Sequence, residues 1–263
     1  DQRGAMINQL TFSEVLLSNC NIDRVSTMHS FWEVANVSIV NVTFRTSTEI
    51  FQQPTDALCF SLSNFELRDI VGLRARILMC RAQVNVTYQN WTIADVASST
   101  TIANWEFATN IAYDFTLDGM VLRNVTTTAD AIFSFNRGTA NVSVNVSRLL
   151  LIDVSATWRV VELNDMASIS FTDISATRTP MPVLRANRCP GVVLQQWDVQ
   201  GATNSVVYLF QVRQVVVSNL TVRETQANRS CSDEGVVSMV ECDNVVLERV
   251  QMIDNVVLCT NRQ

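Results

Sequence analysis

The sequence predicts an all-β protein, a right-handed parallel β-helix solenoid of about ten coils, on three observations. A nine-residue template returns along the chain. Its flanks alternate apolar and polar residues with period two. The stretches between copies are themselves short β-branched runs.

The template reads apolar-x-x-apolar-x-apolar-x-polar-apolar, with Asp or Asn favoured at the polar place. Clean copies run from Leu62 to Ile70, Tyr88 to Val96, Leu117 to Val125 and Val146 to Val154. Looser copies run from Ile169 to Ile174, Leu194 to Ala202, Val217 to Thr225 and Leu247 to Asn255, and two more centre on Cys20 and Val42. The first residue of the central apolar pair gives anchors at Cys20, Val42, Phe65, Trp91, Met120, Leu149, Ile169, Trp197, Leu220 and Val250. Repeats of this size with spacers of varying length mark a solenoid, in which no unit buries its apolar face alone and stacking makes one core.

The flanks decide between strand and helix. Val37-x-Ile39, Val84-x-Val86-x-Tyr88 and Val142-x-Val144-x-Val146 alternate strictly, so one face is buried and the other wet. Between units lie Val160-Val161, Val206 to Phe210, Val236-Val237 and Val256 to Leu258. Thr, Ser and Val fill the connections, and all three are mediocre helix formers. Each coil is therefore expected to carry three short strands separated by turns, and ten rungs at about 4.8 Å make a rod on the order of 50 Å long. The same spacing fits a leucine-rich repeat, but the place of that repeat's Asn holds Ile70, Val96, Val125 and Val154 here, and the return segments read as strand.

On coil length and alternation the chain resembles, over nearly its whole length, the right-handed parallel β-helix superfamily that includes pectin-lyase-like proteins. The resemblance implies architecture, and activity does not follow from architecture. Pectate lyases of that superfamily use clustered acidic calcium ligands with a basic proton acceptor. Related hydrolases use Asp pairs around Asn-Thr-Asp and Gly-His-Gly motifs. The chain contains none of these motifs.

Composition narrows the partners. Charged residues make up only 17 % of the chain, the net charge is −6, and every basic residue is Arg. With no basic cluster, neither nucleic acid nor an anionic membrane surface is an expected partner. No apolar run approaches the roughly 18–20 residues that cross a bilayer, so no membrane insertion is expected within this stretch. Seven Cys with no Cys-x-x-Cys pair, beside a single His, disfavour zinc and favour a disulfide-permitting compartment. No Gly-rich phosphate loop is present, and no cofactor or metal is implied.

Nine sequons stand at Asn36, Asn41, Asn85, Asn90, Asn124, Asn141, Asn145, Asn219 and Asn228, where composition alone would give roughly four. Alternation places Asn85 and Asn145 between inward valines, and Asn41, Asn90 and Asn219 immediately before an inward residue, so these five are expected to face out. The spacing Asn36/Asn41 recurs as Asn85/Asn90 two coils later. N-linked glycans are the modification this pattern implies.

Asp69, Asp95, Asp153, Asp173 and Asp254, continued by Asn124 and Glu224, form an acidic column. It reads either as a calcium ladder or, more simply, as turns made by Asp and Asn side chains, with Arg24, Arg68 and Arg123 beside it. His29 has no partner that sequence can place, and Asp114 with Asp118 is a carboxylate pair of the kind chance supplies. Cys59 and Cys80 lie one short coil apart at equivalent corners, inside the range a disulfide spans, and are expected to pair. One further pair is expected among Cys231, Cys242 and Cys259.

Residues 1–263 read as a single solenoid and as a segment of a longer chain. Ala5 to Ile7 and Leu10 to Phe12 already look like rung material, as does Val256 to Cys259, with no helical or charged lid beyond them. Like subunits or further β-helix coils are expected to stack on both ends. The function expected is that of a secreted, N-glycosylated structural protein of an extracellular surface or filament, displaying glycans on a rod, and not an enzyme. The alternatives are a polysaccharide lyase or hydrolase of the pectin-lyase-like type and an adhesin or receptor ectodomain.

Overall fold

The computed structural model describes residues 15–23, 37–45, 62–73, 78–82, 86–107, 113–136, 142–203, 205–229 and 236–259. In chain order the strands are β1 (Val15–Asp23), β2 (Val37–Arg45), β3 (Leu62–Ser63), β4 (Phe65–Leu73), β5 (Leu78–Ala82), β6 (Val86–Ser98) and β7 (Ala103–Phe107). They continue with β8 (Tyr113–Thr127), β9 (Ala131–Asn136), β10 (Val142–Ser155), β11 (Arg159–Asn164), β12 (Ser168–Thr177), β13 (Leu184–Asn187) and β14 (Gly191–Gln200). The last six are β15 (Val207–Phe210), β16 (Gln214–Arg223), β17 (Gln226–Arg229), β18 (Val237–Val240), β19 (Val245–Ile253) and β20 (Val256–Cys259).

Every pairing is parallel and joins strands one coil apart. One sheet runs β1-β2-β4-β6-β8-β10-β12-β14-β16-β19, with β3 pairing β6, and a second runs β5-β7-β9-β11-β13-β15-β18. A third sheet holds only β17 and β20, so a third paired strand is present in the last two coils alone among the described residues. This is a parallel β-helix: the chain winds through the long-strand sheet, crosses to the short-strand sheet and returns one rung higher.

The long strands turn corners without losing their partners. From β6 onward they bend at single residues of left-handed backbone, such as Asn90 (φ 53°), Asp95 (φ 55°), Asn124 (φ 50°), Asp153 (φ 53°), Asn219 (φ 55°) and Glu224 (φ 52°). Such a residue is skipped in the ladder: Ser147 pairs Thr172 and Leu149 pairs Ile174, with Arg148 and Asp173 left out between them. One skipped residue puts two successive side chains outside, which gives the x-x of the template its physical meaning. Asn and Asp tolerate this backbone best, and so they are favoured at the corners. Gly119 (φ 73°) takes the same corner as Asn90 and Arg148 on the neighbouring rungs, and a Cβ there would stand 2.9 Å from Asn90 Oδ1 and 3.3 Å from Arg148 Nη2, so those side-chain ends would have to shift.

Inward residues stack rung on rung. One column runs Trp91–Met120–Leu149–Ile174–Trp197–Leu220, all buried. The register matches every anchor read from the sequence except Ile169. Leu149 pairs Ile174, and Ile169 pairs Val144 and Val192 five residues earlier in the coil. Both isoleucines point inward on either side of a corner, so apolar spacing alone cannot tell them apart. The same shift moves Asp173 from the acidic column to the other corner, and Arg178 takes its place beside Asp153.

The core between β4 and β9 is aromatic. Trp105 stacks on Phe135 at 4.5 Å between ring centres, and Tyr88 meets Trp91 edge-on at 4.9 Å. Burial pushes the Tyr88 hydroxyl far above its ordinary pKa, while the Trp105 indole donates to its oxygen at 3.3 Å. Trp91 and Trp197, with Phe65, are core residues as the template requires.

Candidate functional site

The corner residues are laced from rung to rung. Asn124 Nδ2 donates to Asp95 Oδ1 at 2.8 Å, and Arg178 holds Asp153 through two bonds of 2.5 and 2.6 Å. Arg148 grips Asp118 the same way, at 2.7 and 2.5 Å, with Ser147 Oγ donating at 2.7 Å. At the short-strand corner Arg188 holds Asp165 through two bonds of 2.7 Å. Hydrogen bonds from Arg148 and Arg178 hold the carboxyls of Asp118 and Asp153 below the usual range. Arg123 adds its field at Asp153, as its place beside the column implied, whereas Arg68 pairs with Glu66. The column thus forms turns whose side chains bind one another. Among the described residues no three His, Cys, Asp or Glu gather as a metal site.

Three sequon asparagines are exposed on successive long strands: Asn90 on β6, Asn124 on β8 and Asn145 on β10. Asn145 lies between buried Val144 and Val146 on the flat outer face, while Asn90 and Asn124 occupy different corners. Asn90 Nδ2 also donates to Asn64 Oδ1 at 3.1 Å. Asn219 is half-buried at a corner. Asn41 lies within β2 and Asn228 within β17, and Asn36, Asn85 and Asn141 lie outside the described residues.

The outer face of the short-strand sheet carries a strip that the template does not reveal. Asn136 donates to Asn104 at 3.1 Å, Asn164 to Asn136 at 2.9 Å and Asn187 to Asn164 at 2.6 Å, an amide ladder across four strands. Beside it, Arg159 and Glu162 form an ion pair of 2.8 Å with side chains only 11 % and 16 % exposed. The Arg185 guanidinium lies 5.1 Å over the Tyr208 ring. The sequence signal was an Asn closing successive short runs, as in Phe135-Asn136, Leu163-Asn164 and Ala186-Asn187.

The remaining candidates do not converge. Asp114 and Asp118 share one face of β8 but stand four residues apart, about 13 Å along a strand, beyond the spacing of glycosidase carboxylate pairs. His29 and Cys59 lie outside the described residues, and Cys80 lies within β5, so the Cys59–Cys80 pairing falls outside them too. Cys242 is a free thiol whose Sγ lies 3.5 Å from Val240 O and 3.7 Å from Leu209 O. The further disulfide expected among Cys231, Cys242 and Cys259 therefore does not run through Cys242. Cys189 is also free, and burial pushes its thiol up to about 11, which leaves it unreactive.

No helix of the described residues is long and apolar enough to cross a membrane. Neither the known protein families nor the curated proteins contain a match to this sequence. Among solved structures, the A-module of the Azotobacter vinelandii mannuronan C-5 epimerase AlgE4 is similar at 10 % identity, with a TM-score of 0.37. The match covers 94 % of this chain and 89 % of that one. At that score the similarity carries no argument about chemistry. The resemblance to pectin-lyase-like β-helices is one of architecture and rests on the parallel, coil-by-coil pairing itself. β-Helices of this kind include both structural proteins and enzymes.

Proposed function

We propose that the chain is a structural, N-glycosylated rod of an extracellular surface, secreted through a disulfide-permitting compartment, and that it displays glycans and catalyses nothing. The observation that supports this best is the exposure of Asn90, Asn124 and Asn145 on three successive rungs. Rungs lie only about 4.8 Å apart, too close for glycans stacked in one column. These three sit at the first corner, the second corner and the flat face, so their glycans leave in different directions. Expression through a eukaryotic secretory pathway and glycopeptide mapping test the reading. Occupancy at two or more of the three is expected, and bare asparagine at all three sinks it.

A second reading, a carbohydrate-acting or adhesive β-helix, is favoured by the short-strand strip. Stacked amides beside Arg185 over Tyr208 suit sugar hydroxyls and carboxylates. Turnover of an acidic polysaccharide such as polygalacturonate, lost on Arg185→Ala, would move the assignment to that reading.

A further inference from the structure

Four arginines each close on a carboxylate of the rung below: Arg148 on Asp118, Arg178 on Asp153, Arg188 on Asp165 and Arg223 on Asp198. Arg185 breaks this pattern. It pairs Glu162 in the ladder of the short-strand sheet, so two opposite charges point outward one rung apart, yet they make no ion pair. Glu162 turns instead to Arg159 at 2.8 Å. The Arg185 guanidinium leans the other way, over the Tyr208 ring, with Nε donating to Asn187 Oδ1 at 3.4 Å. Among the described residues Arg185 has no carboxylate partner. The strands of this sheet also carry no sequon, whereas the long strands carry Asn41, Asn90, Asn124, Asn145 and Asn219.

We infer that the outer face of the short-strand sheet docks a second copy of this chain, face to face and antiparallel, about a two-fold axis that passes between β11 and β13. The face is self-complementary about that line. Glu162 and Arg185 are register partners across it, as are Asn164 and Asn187, with Ser134 one rung beyond Glu162 and Tyr208 one rung beyond Arg185. A half-turn therefore lays each Glu162 against the partner's Arg185 and each Asn164 against the partner's Asn187. It also sets the half-buried Tyr208 over the partner's Ser134, a short side chain only 7 % exposed, so a large ring meets a low place in the surface. At the rim Trp158 is 50 % exposed, and one rung on stands the turn Pro180-Met181-Pro182, which the half-turn brings against it. Arg, Tyr and Trp are the side chains that most often anchor interfaces. Six rungs, β7 to β18, lie symmetrically about the axis. At about 4.8 Å per rung and about 3.3 Å per residue the faces overlap over roughly 29 Å by 20 Å. That is on the order of 1,200 Å² for both copies, enough for a specific contact. An acidic sugar chain on this strip would meet Glu162 beside Arg185, whereas a second copy satisfies both charges.

The contact is isologous and closes on itself, so association stops at two copies. It extends the structural reading, and the experiments separate the two: a dimer with bare asparagines sinks the glycan display and keeps this contact, and a glycosylated monomer does the reverse. Sedimentation equilibrium of the secreted 263-residue chain should fit monomer and dimer. A monodisperse monomer at tens of micromolar, or growth beyond two copies, overturns the proposal. Arg185→Glu sets two acids against each other and should weaken the dimer at least about tenfold, and Trp158→Ser, which changes no charge, should weaken it too. Glu162→Arg should also fail to dimerise alone. Mixed with Arg185→Glu it should recover a heterodimer, because every charged contact then joins an acid to an arginine. Should Glu162→Arg not fold, Glu162→Gln takes its place, and its mixture with Arg185→Glu should still associate more tightly than Arg185→Glu by itself. A dimer unmoved by Arg185→Glu, or a mixture that does not associate, rules the contact out. So does a monomer that binds oligogalacturonate through Arg185, which moves the strip to the carbohydrate reading.

Discussion

Arg178 and Asp153 occupy the same left-handed corner of successive rungs, and the Arg178 guanidinium closes on Asp153 with both prongs, at 2.5 and 2.6 Å. A stack places equivalent side chains about 4.8 Å apart, so identical charges in one column repel. From Asp95 through Asn124 and Asp153 to Arg178 the column avoids that by alternation.

Acid sensitivity follows. The folded-state pKa values of Asp118 and Asp153 lie below their unfolded ones, because Arg148 and Arg178 bond the charged forms. The stability these pairs contribute is present above the unfolded carboxylate value of about 3.9 and is lost as pH falls through the lower folded values. Melting curves between pH 6 and pH 2 should show this loss, and Asp118→Asn with Asp153→Asn should flatten it.

Trp91 and Thr92 test the alternation. Trp91 is 1 % exposed in the core, while Thr92 faces outward on the same strand. Trp91→Asp removes a fully buried indole and buries a charge, a loss of at least about 4 kcal/mol, enough to prevent folding. Thr92→Asp should cost under about 1 kcal/mol, apart from removing the Asn90 sequon. Equal shifts in thermal unfolding would contradict the assigned faces.

Gly119→Ala should destabilise by roughly 1–3 kcal/mol, because its backbone is left-handed and the new Cβ meets Asn90 Oδ1 at 2.9 Å. Gly191→Ala is the control, since nothing lies within 4 Å of a Cβ there. Denaturant midpoints of the two variants, measured together, should differ with Gly119→Ala the lower.

Thr179 carries a hydroxyl that is fully buried without a hydrogen-bond partner. It follows Arg178 as Val154 follows Asp153, so it holds the place that Val96, Val125 and Val154 fill on the three preceding rungs. Thr179→Val keeps the shape and removes the desolvated hydroxyl, and should raise stability by about 1–2 kcal/mol in chemical unfolding.

Much of the coil was legible because its cause is local. Period-two alternation follows from the pleat, and an Asn or Asp before an apolar residue marks a corner because those side chains tolerate left-handed backbone. Hence Trp91, Met120, Trp197 and Leu220 could be placed in one column from sequence alone. Local pattern failed where two inward residues flank a corner, as with Ile169 and Ile174, because only pairing to the neighbouring rung distinguishes them. Cross-rung features belong wholly to the tertiary structure. The Asn104 to Asn187 ladder and the grip of Arg178 on Asp153 join residues 23 to 32 apart. The sequence determined what each rung is made of, and stacking decided which side chains meet, because varying coil lengths hide the register until the rungs are laid on one another.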